Sequence, residues 1–375
     1  SEDMINEYGL LIIWSNGRRL DKIITEDIKK HFNILYRFNI SWNKNNFAKN
    51  LSRLYDENLP PKCNKENDCG TDPFLLFILE DKTPLYRLRE TSKGKKIVNI
   101  NFFDAKEMYR SWCGGNQIHA TNDMTEFSHD LVMLLGKKIE DLLDSDFSNT
   151  TIVKLEQDIV GENGWTDLKQ LFYVLNETIE YVVLRNFDDL PKTYEIGEHS
   201  DIDILTSNRY KFAKIANAIP VYLNSMRSRY ELKMKSGKVY IDIRYLGDNY
   251  YCEQWENNIL CNRIMKNECF FIPNQTDYIY SLLYHGYIHK MKIAEDYNNR
   301  YREQLHTADT FELEKKLCLF IEKNNYSFVE PIDLSVYYNK RIPSIKWKFK
   351  RTLYWKKVRL EDKLRSQIKK ILGYR

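Results

Sequence analysis

The feature that most constrains the fold of this sequence is a pair of short apolar segments with aspartates inside them. In the segment 201–205, Asp201 and Asp203 alternate with isoleucines. Residues two apart in a β-strand point to the same face, so both carboxylates project together while the isoleucines face a core. About forty residues later a second strand-like segment, 239–244, carries Asp242. An acid inside an apolar strand is costly unless something compensates it. We therefore predict a site where three acids converge from neighbouring strands.

Three converging carboxylates would suit one or two Mg²⁺ or Mn²⁺ ions, because such hard cations prefer oxygen ligands and keep positions open for phosphate oxygens. Two metals of this kind stabilise the attacking and the leaving oxygen of an in-line displacement. We expect Asp201 and Asp203 to bind the metals, and Asp242 to complete the site and act as general base on an acceptor hydroxyl. The simpler alternative is three solvated or capping acids at strand ends.

Residues 166–250 resemble the DNA polymerase β-type nucleotidyltransferase superfamily, and the likeness extends over helical residues to 335. The family pattern has a Gly-Ser turn after one strand, an Asp-x-Asp strand, and a third acid on a neighbouring strand; the three aspartates above match its acids. Leu184, Arg185 and Asn186 stand in place of the Gly-Ser turn. The resemblance implies a nucleoside triphosphate substrate, bound by Arg185, Asn186 and Lys290.

Two other functions fit the same residues. Glycosyltransferases use an Asp-x-Asp pair to hold a metal on the pyrophosphate of a nucleotide-sugar, although a third acid on its own strand favours nucleotidyl transfer. A non-catalytic nucleotide-binding protein is the other alternative, and metal dependence separates it from an enzyme. His285 and His289 lie four apart on a predicted helix, where with Asp296 they form either a metal or phosphate site or ordinary packing.

The first 140 residues alternate strand-like and helix-like segments, an order that indicates a small α+β sandwich of ferredoxin-like type. Residues 8–136 resemble nucleoside diphosphate kinase. The sequence NQIHATN at 116–122 is similar to the family's Asn-x-x-His-Gly-Ser-Asp segment, whose histidine is phosphorylated, which implies a nucleophilic His119. Trp14 replaces the lysine expected after the first strand. The resemblance implies further nucleotide contacts from Tyr55, Arg110 and Asn116.

The predicted fold class is α+β throughout: a ferredoxin-like sandwich, a mixed nucleotidyltransferase sheet, and a helical C-terminal part with a basic amphipathic tail. We divide the chain into a nucleoside diphosphate kinase-like domain, a linker, a catalytic domain, a helical domain and a tail, at residues 1–140, 141–165, 166–250, 251–335 and 336–375. The seven cysteines form no CxxC pair, so we expect a reducing cytoplasm.

Charge is concentrated at the C-terminal end. Residues 346–375 contain twelve Lys or Arg and two acids, a net +10; the whole chain carries +4, so residues 1–345 carry about −6. An acidic body argues against specific nucleic-acid binding. Leu353, Leu360, Leu364, Ile368 and Ile371 recur at helical spacing, which predicts a basic amphipathic helix on an anionic membrane surface. Its rivals are a subunit-docking helix and an RNA-contacting arm. Peripheral attachment to the inner membrane face suggests a glycan or polyol phosphate acceptor, in cell-surface polysaccharide synthesis.

Overall fold

The computed structural model describes residues 6–192, 201–223, 226–339 and 345–371, and their side chains except those of 345–351 and 369–371. Parts of the predicted first domain and tail, residues 1–5, 340–344 and 372–375, thus lie outside the described residues. The chain is a mixed α/β protein that forms two compact units. Unit 1 comprises residues 1–178, 213–217 and 233–235, and unit 2 comprises residues 179–212, 218–232 and 236–375.

The strands of unit 1 are, in chain order, β1 Glu7–Ile13, β2 Asn33–Ser41, β3 Phe74–Asp81, β4 Tyr86–Thr91, β5 Gly94–Asn99, β6 Ile118–Ala120 and β7 Ile152–Glu156. Five of them form one sheet in the order β6-β1-β3-β2-β7. All neighbours in this sheet are antiparallel except β7, which runs parallel to β2. The apolar runs of β1 and β3 are buried on both faces, as expected of central strands.

The α-helices of unit 1 are α1 Asp21–His31, α2 Phe47–Tyr55, α3 Asn64–Cys69, α4 Ile100–Cys113, α5 Met124–Leu135, α6 Ile139–Leu143 and α7 Leu168–Asn176. Ile24 and Ile28 of α1, with Phe102 and Tyr109 of α4, pack on one face of the sheet. Helix α5 begins where the Asp123 side chain accepts a hydrogen bond from the Glu126 amide, a standard N-cap.

Two parts of unit 1 differ from the sequence-based expectation. The hairpin of β4 and β5 is not predicted, because its strands are polar and largely exposed and so show no apolar alternation. The segment 141–165, expected to be a linker, contains β7, whose residues pair with β2 as the last strand of the sheet. A charged, Ser- and Asn-rich composition conceals an edge strand, since such strands tolerate polar residues on both faces.

The remaining strands are β8 Tyr181–Val183, β9 Asp201–Thr206, β10 Ala218–Pro220, β11 Arg229–Met234, β12 Gly237–Tyr245, β13 Ile264–Lys266 and β14 Phe270–Ile272. The main sheet of unit 2 has the order β10-β11-β12-β9-β8. The predicted strands β8, β9 and β12 are confirmed, with β9 parallel to β12 and antiparallel to β8. Strand β11 is not predicted, although its Tyr, Leu and Met alternate with Arg, Glu and Lys in the pattern of a half-buried strand.

The remaining helices are α8 Arg209–Ala216, α9 Glu253–Cys261, α10 Gln275–Ile288, α11 Glu295–Leu305, α12 Thr310–Lys323 and α13 Ile345–Ile371. The mainly helical character expected for 251–335 is confirmed, apart from the small β13–β14 hairpin. Helix α10 is the most deeply buried of them, and the Asn274 side chain caps its first turn. Within the described residues, no helix combines the length and apolar character needed to cross a bilayer.

Candidate functional site

The three predicted aspartates lie side by side on two parallel strands of unit 2. Strand β12 pairs with β9 so that Asp242 is directly opposite Asp203, and Tyr240 is opposite Asp201. Paired residues share a face of the sheet, so all three carboxylates project in one direction. Ile202 and Ile241 point to the other face and are buried. The alternation that predicts the strands thus also brings the three acids together.

Two arginines neutralise two of these carboxylates. Nε of Arg185 lies 3.1 Å from Oδ2 of Asp203, and Nη2 of Arg229 lies 3.2 Å from Oδ1 of Asp201. Arg185 is almost fully buried, whereas Arg229 is partly exposed. Burial would lower the pKa of Arg185, but the Asp203 carboxylate and the neighbouring tyrosines together outweigh it and raise that pKa, so the guanidinium stays charged.

Asp242 is the acid for which charge is least compensated. It accepts a long hydrogen bond: the Ser228 hydroxyl donates to Oδ1 over 3.2 Å. Burial, followed by repulsion from the Asp203 carboxylate, raises the pKa of Asp242 to about 6, although Arg244 acts in the opposite direction. A carboxylate pushed towards its neutral form by other carboxylates would be stabilised by an added cation.

The three aspartates line a cavity of about 520 Å³. Its other walls come from the segment after β8, the end of α10 and helix α11, represented by Asn186, His289, Lys290 and Tyr297. The cavity is therefore acidic on the sheet side and carries an exposed ammonium, that of Lys290, on the helical side. A phosphate chain between a carboxylate-bound cation and a lysine would meet positive charge at both ends.

Arg185, expected to contact the nucleotide, is not part of the cavity lining. Besides its ion pair with Asp203, its Nη2 donates to the Tyr250 hydroxyl over 3.1 Å. That hydroxyl lies 2.6 Å from Nδ1 of His285 on α10. Asp203, Arg185, Tyr250 and His285 thus form a continuous hydrogen-bonded chain. Asn186 does line the cavity and hydrogen-bonds with Tyr297, in a left-handed backbone conformation that asparagine tolerates.

The two histidines predicted on one helix face both line the cavity, whereas Asp296 does not. Burial, followed by repulsion from the Arg185 guanidinium, lowers the pKa of both His285 and His289 well below 6.5, so the rings are neutral. His289 is buried beside the Tyr250 carbonyl, and neither ring nitrogen makes a well-aligned hydrogen bond among the described residues. Sequence spacing therefore indicated both cavity-facing histidines, while Asp296 is exposed to solvent on α11.

The donor set of this cavity fits Mg²⁺ or Mn²⁺. Three carboxylates on one sheet face supply hard oxygen ligands, and the raised pKa of Asp242 reflects burial and then repulsion from Asp203, both of which such an ion would offset. Arg185 contacts one oxygen of Asp203, Oδ2. A metal at Asp201 would compete with the Arg229 guanidinium, since both seek the same carboxylate.

In unit 1, His119 is placed on β6, buried and hydrogen-bonded. Its Nε2 lies 2.7 Å from Oδ2 of Asp130, whose Oδ1 lies 2.8 Å from Nδ1 of His129. Burial opposes ionisation of Asp130, but the hydrogen bonds from the two histidines prevail and hold its pKa below the ordinary value. Atoms of His119, Asp130 and Glu126 lie within 4.8 Å of one another, a spacing compatible with metal ligation. The 2.7 Å contact is that of a hydrogen bond.

The structure brings one of the other predicted unit 1 residues to His119. The Tyr55 ring lies edge-on to the imidazole, with ring centroids 5.1 Å apart. Arg110 donates to the Ile118 carbonyl and pairs with Glu107, so its guanidinium is engaged within unit 1. Asn116 is exposed in the turn before β6. Trp14 is buried against Phe74, so no cation stands at the end of β1.

Several cavity or supporting residues are missed by the sequence analysis. Tyr250 has no motif, and Arg244 lies on a predicted strand without an assigned role, although it forms a buried ion pair with Asp333 over 3.0 Å. Asp130, the partner of His119, is likewise missed. Its position directly before the apolar run 131–135 of α5 was the one available signal, because a buried acid requires a partner.

Comparison with models of known protein families gives no match. Comparison with curated proteins gives no match either. Among solved structures, the nucleoside diphosphate kinase of Aquifex aeolicus, in an orthorhombic crystal form, is similar at 14% sequence identity and a TM-score of 0.23; the match covers 34% of this chain and 93% of that one. A likeness at this level carries no argument about fold or activity.

Proposed function

We propose that unit 2 catalyses metal-dependent transfer of a nucleotidyl or related phosphoryl group. The observation that carries this proposal is the register of β9 and β12, which sets Asp242 opposite Asp203 and on the same sheet face as Asp201. These acids line a cavity large enough for a nucleotide, with Lys290 on its opposite side. The nucleotidyltransferase resemblance of the sequence agrees with this arrangement.

In this proposal Asp201 and Asp203 hold Mg²⁺ or Mn²⁺ and Asp242 completes the metal site; the metal would supply charge stabilisation to the transferring phosphate. Asp242 accepts the proton of the acceptor hydroxyl, a role suited to a carboxylate with a pKa of about 6, since it is largely ionised at neutral pH and still basic enough to take a proton. Lys290 and Asn186 contact the phosphates from the other wall. The acceptor stays a prediction: a glycan or polyol phosphate, at a cytoplasmic membrane face.

The test is release of pyrophosphate or phosphate from the four nucleoside triphosphates with Mg²⁺ or Mn²⁺. We expect metal-dependent pyrophosphate release that falls at least about a hundredfold in Asp201→Asn/Asp203→Asn. Glu303→Gln, which removes an exposed carboxylate on α11, is the matched control and should behave as the native chain. Pyrophosphate release that persists in the double variant would exclude the carboxylate site.

One observation favours a second candidate, a nucleotide-binding protein without turnover. Arg185 and Arg229 already pair with Asp203 and Asp201, so the unliganded cavity is less negative than three free acids would make it. Calorimetric titration with nucleotide separates the two functions: binding in an enzyme strengthens with Mn²⁺ and weakens in the double variant. Equal affinity with and without metal would support the binding protein. A nucleotide-sugar hydrolysed in preference to triphosphates would support the glycosyltransferase alternative.

We further propose that unit 1 is a ferredoxin-like domain, diverged from nucleoside diphosphate kinase, that binds a nucleotide without phosphotransfer. The strand order β6-β1-β3-β2 with antiparallel neighbours supports the ferredoxin-like arrangement. Trp14 at the end of β1 supports the loss of phosphotransfer activity, since a triphosphate site needs cations there. Incubation with γ-labelled ATP should leave no acid-labile label on His119. Labelling that disappears in His119→Gln would show retained kinase chemistry.

A further inference from the structure

Helix α13 has one side that packs on unit 2. Tyr354 and Val358 are buried, and they lie four residues apart, on one face of the helix. Glu361, Asp362 and Arg365 continue this side and, with Val358, line a shallow depression opposite Tyr222 and Arg227. Arg365 also donates to the Val221 carbonyl. The only two acids among residues 346–375 therefore lie on the side of the helix that borders this depression, Glu361 half-buried and Asp362 exposed at its rim.

A second side of α13 presents a row of large aliphatic residues to solvent. These residues, which we name the outward face, are Leu353, Leu360, Leu364 and Ile368, exposed by 50%, 62%, 51% and 54%. Their spacing of seven, four and four residues keeps them on one side over about 22 Å of helix. A contiguous apolar row of this size on a soluble unit indicates a binding surface.

Cations accompany this row. Lys356, Lys357 and Lys363 are exposed and lie beside it on the helix surface, and Lys357 makes only a loose 3.8 Å contact with Glu361. Because both acids lie on the side of the helix that borders the depression, what α13 offers outward is aliphatic and cationic. The net +10 of residues 346–375 contrasts with about −6 on the remainder of the chain.

We propose that the outward face of α13 binds the surface of an anionic phospholipid bilayer, with the helix lying parallel to it. Lysines at this position contact anionic head groups while the leucines enter the acyl boundary, so an anionic bilayer accommodates both the cationic and the aliphatic side chains of the helix. RNA would pair with the lysines and leave the aliphatic row in water. A second copy of the chain would bring a further set of like charges against the helix. The proposal does not rest on the transferase activity.

The test is flotation of the full chain with phosphatidylcholine vesicles, with and without phosphatidylserine. We expect binding to the anionic vesicles that falls at least about tenfold in Leu360→Gln/Leu364→Gln, because two leucines no longer enter the bilayer. Leu319→Gln is the matched control: Leu319 is an exposed leucine of α12, outside the outward face, and its variant should float as the native chain does.

A second variant tests the charges without touching the leucines. Lys356→Gln/Lys363→Gln should lower binding to anionic vesicles by about tenfold and leave binding to neutral vesicles unchanged. The proposal is wrong if the native chain does not float with anionic vesicles, or if the leucine variant floats equally well. It is also wrong if the leucine variant still floats but no longer forms a dimer that the native chain forms in sedimentation. The same holds if the variant still floats but no longer forms an RNA complex that the native chain forms in a gel shift. Unchanged circular dichroism establishes that the variants are folded.

Discussion

Asp130 in unit 1 and Asp242 in unit 2 are both largely buried acids of candidate sites, yet their pKa values shift in opposite directions. Two histidines hydrogen-bond to Asp130 and hold its pKa down. Asp242 has a weak contact from Ser228 and two acidic neighbours, and its pKa rises to about 6. The first acid is compensated by the two histidines, whereas the nearby Arg244 compensates the second only in part. A buried acid whose charge is incompletely compensated indicates a ligand-binding site more directly than the presence of an acid alone does.

The largest effect that would sharpen this contrast is on stability in unit 1. Asp130→Asn should lower the free energy of unfolding by about 3 kcal/mol at pH 7, because a buried carboxylate that accepts two hydrogen bonds is lost. Denaturant unfolding at pH 7 measures it. Asp104→Asn, which breaks an exposed ion pair with Arg89, should cost less than about 0.5 kcal/mol. Equal losses of stability from the two substitutions would show that the hydrogen bonds from the two histidines to Asp130 do not stabilise unit 1.

The next effect concerns metal affinity in unit 2. Metal ligands must be deprotonated, so a carboxyl with a pKa of about 6 should make Mn²⁺ bind about tenfold more weakly at pH 5 than at pH 7.5. Electron paramagnetic resonance of free Mn²⁺ measures this affinity. Asp242→Asn should bind more weakly at both pH values and lose most of the pH dependence. A native chain with constant affinity across this range would remove Asp242 from the metal site.

The smallest effect tests the sign of the Asp242 shift. Because the pKa of Asp242 is raised above its ordinary value of 3.8, the contribution of this group to stability is fully present below that value and is lost as pH rises through about 6. Asp242→Asn should therefore raise the free energy of unfolding by about 1 kcal/mol at pH 7.5 without metal. The difference from the native chain should shrink at pH 4. A lower free energy of unfolding for this variant at pH 7.5 would mean that the Asp242 carboxylate is compensated as fully as that of Asp130. The contrast between the two acids would then not hold.

The sequence was sufficient to predict those parts of the fold and of the candidate site whose signal is local. Alternation in two short segments predicts β9, β12 and the common direction of their acids, because a strand determines side-chain direction by itself. The partners of those acids depend on which strands are neighbours and on how loops return, so neither Arg185–Asp203 nor His119–Asp130 could be derived from spacing. Strands β4 and β5 are mostly polar and exposed, and for them tertiary pairing outweighs the local pattern. Strand β11, in contrast, alternates apolar and polar residues, so its signal was local and was overlooked.

The hydrogen-bonded chain from Asp203 through Arg185 and Tyr250 to His285 joins the sheet to helix α10. A ligand that draws the Asp203 carboxylate away from Arg185 changes what the guanidinium offers to the tyrosine, and hence to the imidazole on the helix. Linkage of this kind is reciprocal in free energy. If the cavity binds a cation and a substrate as proposed, we expect a substrate group at the end of α10 to change the affinity for the cation at the sheet, and the cation to change the affinity for the substrate equally.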